Sequence, residues 1–348
     1  HDDGRGDRAA SAGGESKRRG MSEGKNAMSD AAKAAGASSG NGNRIDIHYH
    51  VAPPAWVDAL NRRNVMASQW NGWSVAKAIE DMDRDGVARS IVSITLPGVW
   101  FGDAAEARSL ARACNDYAAK LRADHPGRFG IFAAIPMPDI DGTLAEIAYA
   151  LDALKADGIG FLTSYRDKWF GDPAFAPVME ELDRRGALVY IHPTVADCCR
   201  GLTPDVHPML IEYGADTTRA IAQTVFGGEA NRRRNLRLIF SHGGGAMPFV
   251  YQRFISHARH PGTPPDALAA LKRFYYDTAA AAIAPPMLAL RQVVPVSQIL
   301  FGTDYPYGSA GTVARQLREG GVFDAAEIAA IEHGNPQRLL AETAARRA

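Results

Sequence analysis

The stretch Ile45-Asp46-Ile47-His48-Tyr49-His50 decides how the rest of the chain is read. It alternates apolar and polar residues as a β-strand does, and its end carries two histidines two positions apart. Side chains at i and i+2 of a strand leave the same face. One short segment therefore delivers two imidazoles to one point, which is how a strand end offers a divalent metal a pair of neutral nitrogen ligands. The signal gains weight because it recurs. Tyr190-Ile191-His192, Phe240-Ser241-His242 and Phe301-Gly302-Thr303-Asp304 are each an apolar run ending in a side chain competent for metal binding or acid–base work.

Outward from this stretch the pattern is strand, then helix, repeated. The strands are expected at Ile45–His48, Ala88–Thr95, Phe129–Ile135, Ile159–Thr163, Leu188–His192, Leu236–His242, Phe274–Thr278 and Gln298–Gly302. Helices between them include Ser74–Asp85, with Ser74 as cap and Gly86 as stop, and the long Asp103–His125 with Leu110, Cys114, Tyr117 and Leu121 on one face. At the C-terminal end, Asp324–His333 and Pro336–Arg347 follow, with Asn335 expected to cap the latter. Eight short apolar strands with intervening helices over about 300 residues match the α/β fold class, as a (β/α)8 TIM barrel. An open doubly wound sheet would bring a glycine-rich phosphate loop after its first strand, and His-Tyr-His stands there instead. The barrel also explains why the chemistry-bearing residues end strands, since barrel active sites form at the carboxyl ends.

Before the barrel, His1 to Asn43 contains no Val, Leu, Ile, Phe, Tyr or Trp. Such a segment cannot bury enough apolar surface to offset ordering, so residues 1–43 read as a disordered extension and 44–348 as a single barrel domain. The 39 basic and 39 acidic residues cancel to a formal net charge of zero. No strong field recruits nucleic acid or an acidic membrane, and no apolar run approaches the length of a membrane span. A small-molecule role is the default. The three cysteines, Cys114, Cys198 and Cys199, suit a reducing compartment, because the neighbours Cys198 and Cys199 pair with each other only under strain. Cytoplasm is the simplest location.

Five candidates thus sit on four strand ends of one rim: His48, His50, His192, His242 and Asp304. His125, His207, His257, His260 and His333 read as loop or helix-end residues. Trp100, Phe101, Tyr165, Trp169, Tyr305 and Tyr307 fall near rim loops and are placed either to wall a flat ring or to pack those loops.

The motifs D-I-H-Y-H, V-Y-I-H-P, F-S-H-G-G-G-A-M-P-F and L-F-G-T-D-Y-P resemble the amidohydrolase superfamily from about Ile45 to the C-terminus. Within it they are similar to the branch of metal-dependent decarboxylases that includes aminocarboxymuconate-semialdehyde, resorcylate, carboxyvanillate and methylsalicylate decarboxylases. The resemblance implies the metal-dependent hydrolase type of barrel, with His48, His50, His192 and Asp304 as metal ligands. It implies that His242 handles protons beside the metal, with Asp304 as a second candidate for that work. It further implies that Arg253 reaches into a neighbouring subunit's site, in a homodimer or larger homo-oligomer. Two departures bear on the reading. Where two-metal members carry a bridging lysine after strand four, this chain reads Phe161-Leu162-Thr163-Ser164-Tyr165, with Lys168 only beyond, so one divalent ion is expected. The arginines that precede Met-Asp on the first helix of the muconate enzyme are also missing before Met82-Asp83, which favours a monocarboxylate on an aromatic ring.

The expected chemistry is loss of CO2 from an aromatic or dienoic acid. A divalent cation stabilises the charge left on carbon, and a positioned acid, His242 or Asp304, protonates that carbon. Three histidines and a carboxylate suit zinc, and manganese accepts the same set. Arg253, Trp100, Phe101, Tyr165 and Tyr305 are the expected substrate contacts. The same ligands would serve a mononuclear hydrolase or lactonase, which is the alternative.

Overall fold

The computed structural model describes residues 42–65 and 70–347. All but the last two residues of the expected N-terminal tail lie outside them. Eight strands form the central sheet: β1 Arg44–His50, β2 Val87–Ser93, β3 Phe129–Ala133, β4 Gly158–Leu162, β5 Leu188–His192, β6 Arg237–Phe240, β7 Tyr275–Asp277 and β8 Ile299–Leu300. Each pairs with the next in parallel, in sequence order. The first and last also meet. Ile47 donates its amide to Phe301 O at 2.9 Å, Asp304 to His48 O at 2.8 Å and His50 to Tyr305 O at 2.9 Å. These bonds close the sheet into the expected (β/α)8 barrel.

Period-two alternation splits the strand residues into two packed sets. Ile91, Phe132, Leu188, Tyr190, Ile239, Tyr275 and Leu300 belong to one buried cluster. Their immediate neighbours Val92, Ile131, Val189, Ile191, Phe240, Tyr276 and Phe301 belong to another, together with helix residues such as Met82, Leu121, Val178, Ile221 and Leu290. The second set is the layer between barrel and helices. The first is the inner set, and continuing it along β5 from Leu188 and Tyr190 brings His192 to the top.

Local signals place the helices. Ser74 caps Val75–Arg84 by accepting from the Lys77 amide, and Asp103 caps Ala104–Asp124 by accepting from the Glu106 amide. Gly86 follows the first of these with φ 67°, a conformation that costs glycine little. Two expectations need correction. The helix expected at Asp324–His333 starts with a capping box of Asp324 and Glu327, but after Ala329 it widens into a π-type turn, Ala330–Gly334. Asn335 is not a cap: it lies within the helix Asn335–Ala345 and donates its Nδ2 to Val296 O at 2.8 Å and Ile299 O at 2.9 Å. Those two carbonyls flank the start of β8, so the side chain serves a strand end rather than its own helix. Among the described residues, no helix is long and apolar enough to cross a membrane.

Candidate metal centre and active site

The carboxyl ends of β1 and β5 and the loop after β8 bring His48, His50, His192 and Asp304 together, with one donor atom of each within 4.8 Å of the others. His48 Nε2 lies 3.1 Å from His50 Nε2, and both are 3.0 Å from Asp304 Oδ1. His192 Nε2 is 3.9 Å from the same oxygen. Asp304 reaches this point with a left-handed backbone, φ 62°. A non-glycine residue takes that conformation at some energetic cost, and the hydrogen bond its amide donates to His48 O holds it there.

The second ring nitrogens set the character of this cluster. His48 Nδ1 donates to Asp277 Oδ2 at 2.9 Å, and His192 Nδ1 to Pro193 O at 2.8 Å. Neither acceptor has a proton to give, so each imidazole, when neutral, keeps its Nε2 lone pair on the side of Asp304. His50 Nδ1 contacts Ser93 Oγ at 3.1 Å. His192 Nε2 and Asp304 Oδ1 are buried without a hydrogen bond, an arrangement that is costly unless a cation answers it. The residues present therefore fit a divalent ion, held by three imidazole nitrogens and one carboxylate oxygen.

Burial opposes a charge on His48, yet the carboxylates of Asp277 and Asp304 outweigh it and raise its pKa to about 10. Nε2 is therefore contested between a proton and a metal ion, and binding the ion releases the proton. His50 is pushed down by burial, and His192 by burial to about 4; both are neutral ligands at ordinary pH. Burial alone would raise Asp304, but the surrounding histidines, His48 first, hold it well below the usual carboxylate range.

His242 stands beside this cluster and outside it. Its backbone is also left-handed, φ 54°. Its amide donates to Asp277 Oδ1 at 2.9 Å, and its Nδ1 faces Ala279 O at 3.1 Å. That leaves Nε2 as the atom facing the site, 3.9 Å from Asp304 Oδ2. Burial lowers its pKa.

The expected aromatic wall divides. Trp100 and Tyr165 line one cavity with His192, Val99, Ile135 and Phe161. Phe101 does not join them and carries the Arg63 guanidinium 4.3 Å over its ring. Tyr305 also turns away. It follows Asp304 on the opposite face, stacks on Tyr49 with centroids 4.3 Å apart, and donates its hydroxyl to Asp81 at 3.0 Å. Arg253 lines a separate groove with Trp169, Phe226, Phe254 and His257. Lys168 is half exposed and pairs with Asp172 at 3.8 Å. The end of β4 is occupied instead by Thr163 and Ser164, which donate to buried Asp216 at 2.5 and 2.9 Å.

Asp277 was missed from sequence. It closes an apolar run, Phe274-Tyr275-Tyr276-Asp277, so the criterion that picked His192 and His242 would have found it. Asp46 and Ser93 were missed with it. Asp46, fully buried, accepts from Thr303 Oγ1 at 2.6 Å and from the His48 amide at 3.0 Å, bracing both sides of the cluster.

The chain is 33% identical over 320 residues to a 6-methylsalicylic acid decarboxylase of Aspergillus aculeatus, covering 86% of this chain and 94% of that one. A solved amidohydrolase II structure superposes with a TM-score of 0.81 at 26% identity, covering 86% of this chain and all of the other. A dihydroxybenzoic acid decarboxylase from Polaromonas sp. JS666, solved with bound manganese and 2-nitroresorcinol, shares the fold with a TM-score of 0.76 at 21% identity over 86% of this chain and 97% of that one. The sequence profile of the amidohydrolase family matches residues 45–341, a span that begins in the strand bearing the paired histidines and takes in every ligand, and the chain belongs to that family.

Proposed function

We propose that this chain is a non-oxidative decarboxylase of aromatic carboxylic acids, dependent on one divalent ion held by His48, His50, His192 and Asp304. Similarity over most of its length to a 6-methylsalicylic acid decarboxylase carries the reading. Zinc is the ion that three imidazoles and one carboxylate suit best, and manganese fits the same donors. One ion is favoured because Thr163 and Ser164 stand at the end of β4 and are committed to Asp216.

When bound, the ion supplies positive charge that orients a substrate oxygen and stabilises charge developing during bond cleavage. The chain's own residues do the rest. Trp100 and Tyr165, which line the space beside His192, are placed to face the ring. The bond between the ring carbon and the carboxylate breaks, CO2 leaves, and the electron pair stays on the ring carbon. His242, its Nδ1–H fixed by Ala279 O, takes a solvent proton on Nε2 as the imidazolium and delivers it to that carbon. A buried histidine with a lowered pKa gives up such a proton readily.

Turnover of hydroxybenzoates in deuterated water tests the assignment. The expected product is deuterated at the former carboxyl position, with one CO2 released per turnover. A protein that opens lactones or esters and releases no CO2 from any carboxylate would be a hydrolase instead.

A further inference from the structure

Cys198 and Cys199 take no part in the site above. They lie on one short turn, Asp197–Cys199, in the loop that leaves β5 after His192. Their Sγ atoms are 3.1 Å apart, with Cys198 exposed and Cys199 buried. Two hydrogen bonds from backbone amides fix the turn: the Cys198 amide donates to the Asp167 side-chain Oδ1 at 2.8 Å, and the Cys199 amide to Ala196 O at 3.0 Å.

Cys199 lines a cavity of about 200 Å³ whose other walls include Val195, Leu202, Val206 and Pro208. Glu212 also lines it. That residue is only 7% exposed, and its Oε2 makes no hydrogen bond, with Arg219 Nη1 the nearest cation at 3.7 Å. An apolar cavity of about 150 Å³ is enough to hold benzene. One thiol of the pair, Cys199, thus lines a space large enough for one aryl group, with the other thiol 3.1 Å away and exposed, and an underused buried acceptor in the wall.

We propose that Cys198, Cys199 and the cavity beneath them form a binding site for trivalent arsenicals carrying a small apolar substituent. A direct disulfide between adjacent cysteines closes a strained ring. One bridging arsenic atom enlarges that ring and relieves the strain. Condensation of R–As(OH)2 with the pair forms two As–S bonds and breaks two As–O bonds. The thiol protons leave with the hydroxides as two waters, and arsenic stays trivalent throughout. The Cys199 thiol, with Asp167 close by, pushes the Cys198 thiol up to about 12. Simple alkylating agents that need a thiolate therefore react poorly here, whereas the condensation removes the protons as water.

Phenylarsine oxide titrated into the full-length, metal-loaded protein and followed by intact mass spectrometry is the test. One adduct per chain is expected, stable to excess monothiol and removed by 2,3-dimercaptopropanol. Cys198→Ser and Cys199→Ser each lose the second anchor and should weaken binding on the order of 100-fold. Cys114→Ser, buried on a helix elsewhere, should change nothing, and Val206→Trp should weaken the phenyl reagent more than methylarsonous acid. An adduct that survives both serine substitutions, or its absence from the folded wild-type protein, overturns the proposal. The readout is binding, so it is independent of which reaction the metal site performs.

Discussion

Asp277 lies beneath His48, its Oδ2 accepting from Nδ1 at 2.9 Å with both side chains fully buried. Its other oxygen, Oδ1, accepts the His242 amide at 2.9 Å and the Ala279 amide at 3.0 Å. One carboxylate thus orients a metal ligand and holds the backbone of the proposed proton donor.

Asp277→Asn should therefore damage both. Replacing such a partner of a ligating histidine typically costs about 10- to 100-fold in metal affinity. Competition with a chromogenic chelator measures that loss, and unchanged affinity would mean the His48 ring is oriented by something else.

His242→Ala should separate turnover from metal binding. We expect metal content to stay at the wild-type level while kcat falls roughly 10²- to 10⁴-fold, the usual contribution of a positioned acid. His192→Ala should instead lower metal content. Loss of the metal from the His242 variant would make that residue a ligand.

Chelation should destabilise the protein. An ion that binds only the folded state adds about 2.7 kcal/mol at a concentration 100 times its dissociation constant. Zinc or manganese returned to chelated protein should raise Tm in a concentration-dependent way. A Tm indifferent to metal would argue that His192 Nε2 and Asp304 Oδ1 are satisfied in some other manner.

Arg253 faces the groove with Trp169 and Phe254, and we expect it to bind the substrate carboxylate of a neighbouring copy, as arginine does bidentately. Arg253→Ala and His242→Ala proteins, each inactive alone, should regain activity when mixed under exchanging conditions. No recovery would confine Arg253 to its own chain or to no catalytic role.

Asp216 should prove a structural keystone of the β4 rim. It is fully buried and accepts from Thr163, Ser164 and, at 2.5 Å, from Trp169 Nε1. Asp216→Ala strands these donors, and a loss of about 3 kcal/mol in denaturant unfolding is expected. Thr163 Oγ1 also accepts the Thr194 amide at 3.0 Å, two residues past His192, so metal affinity should fall with stability.

Much of this was written locally. The alternation in Ile45–His50 and the apolar run Leu188–His192 placed β1 and β5, and the strand-end rule gathered the four candidate ligands and His242 that the fold brings together. What sequence hid depends on distance or on the turn of one residue. Asp277 gains its meaning from His48, 229 positions away. Tyr305 and Phe101 look like rim aromatics because they adjoin Asp304 and Trp100. Yet adjacency in sequence does not set direction where the backbone bends, as at Asp304 with its left-handed φ, and both found partners outside the cavity. Asn335 carried a capping signature, but two strand-end carbonyls offered its amide a better use.

The seam that closes the barrel has a consequence for synthesis. Asp46 and Thr303 meet across 257 positions, and Asp304 takes its place only by bonding to His48 O. A chain emerging from the ribosome carries His48 and His50 early and must wait for nearly its whole length before their carboxylate partner exists. During that interval the exposed imidazoles are weak, incomplete ligands. Tight metal retention begins with the last strand, so a tightly held ion marks a finished molecule, and fragments truncated before Phe301 should retain none.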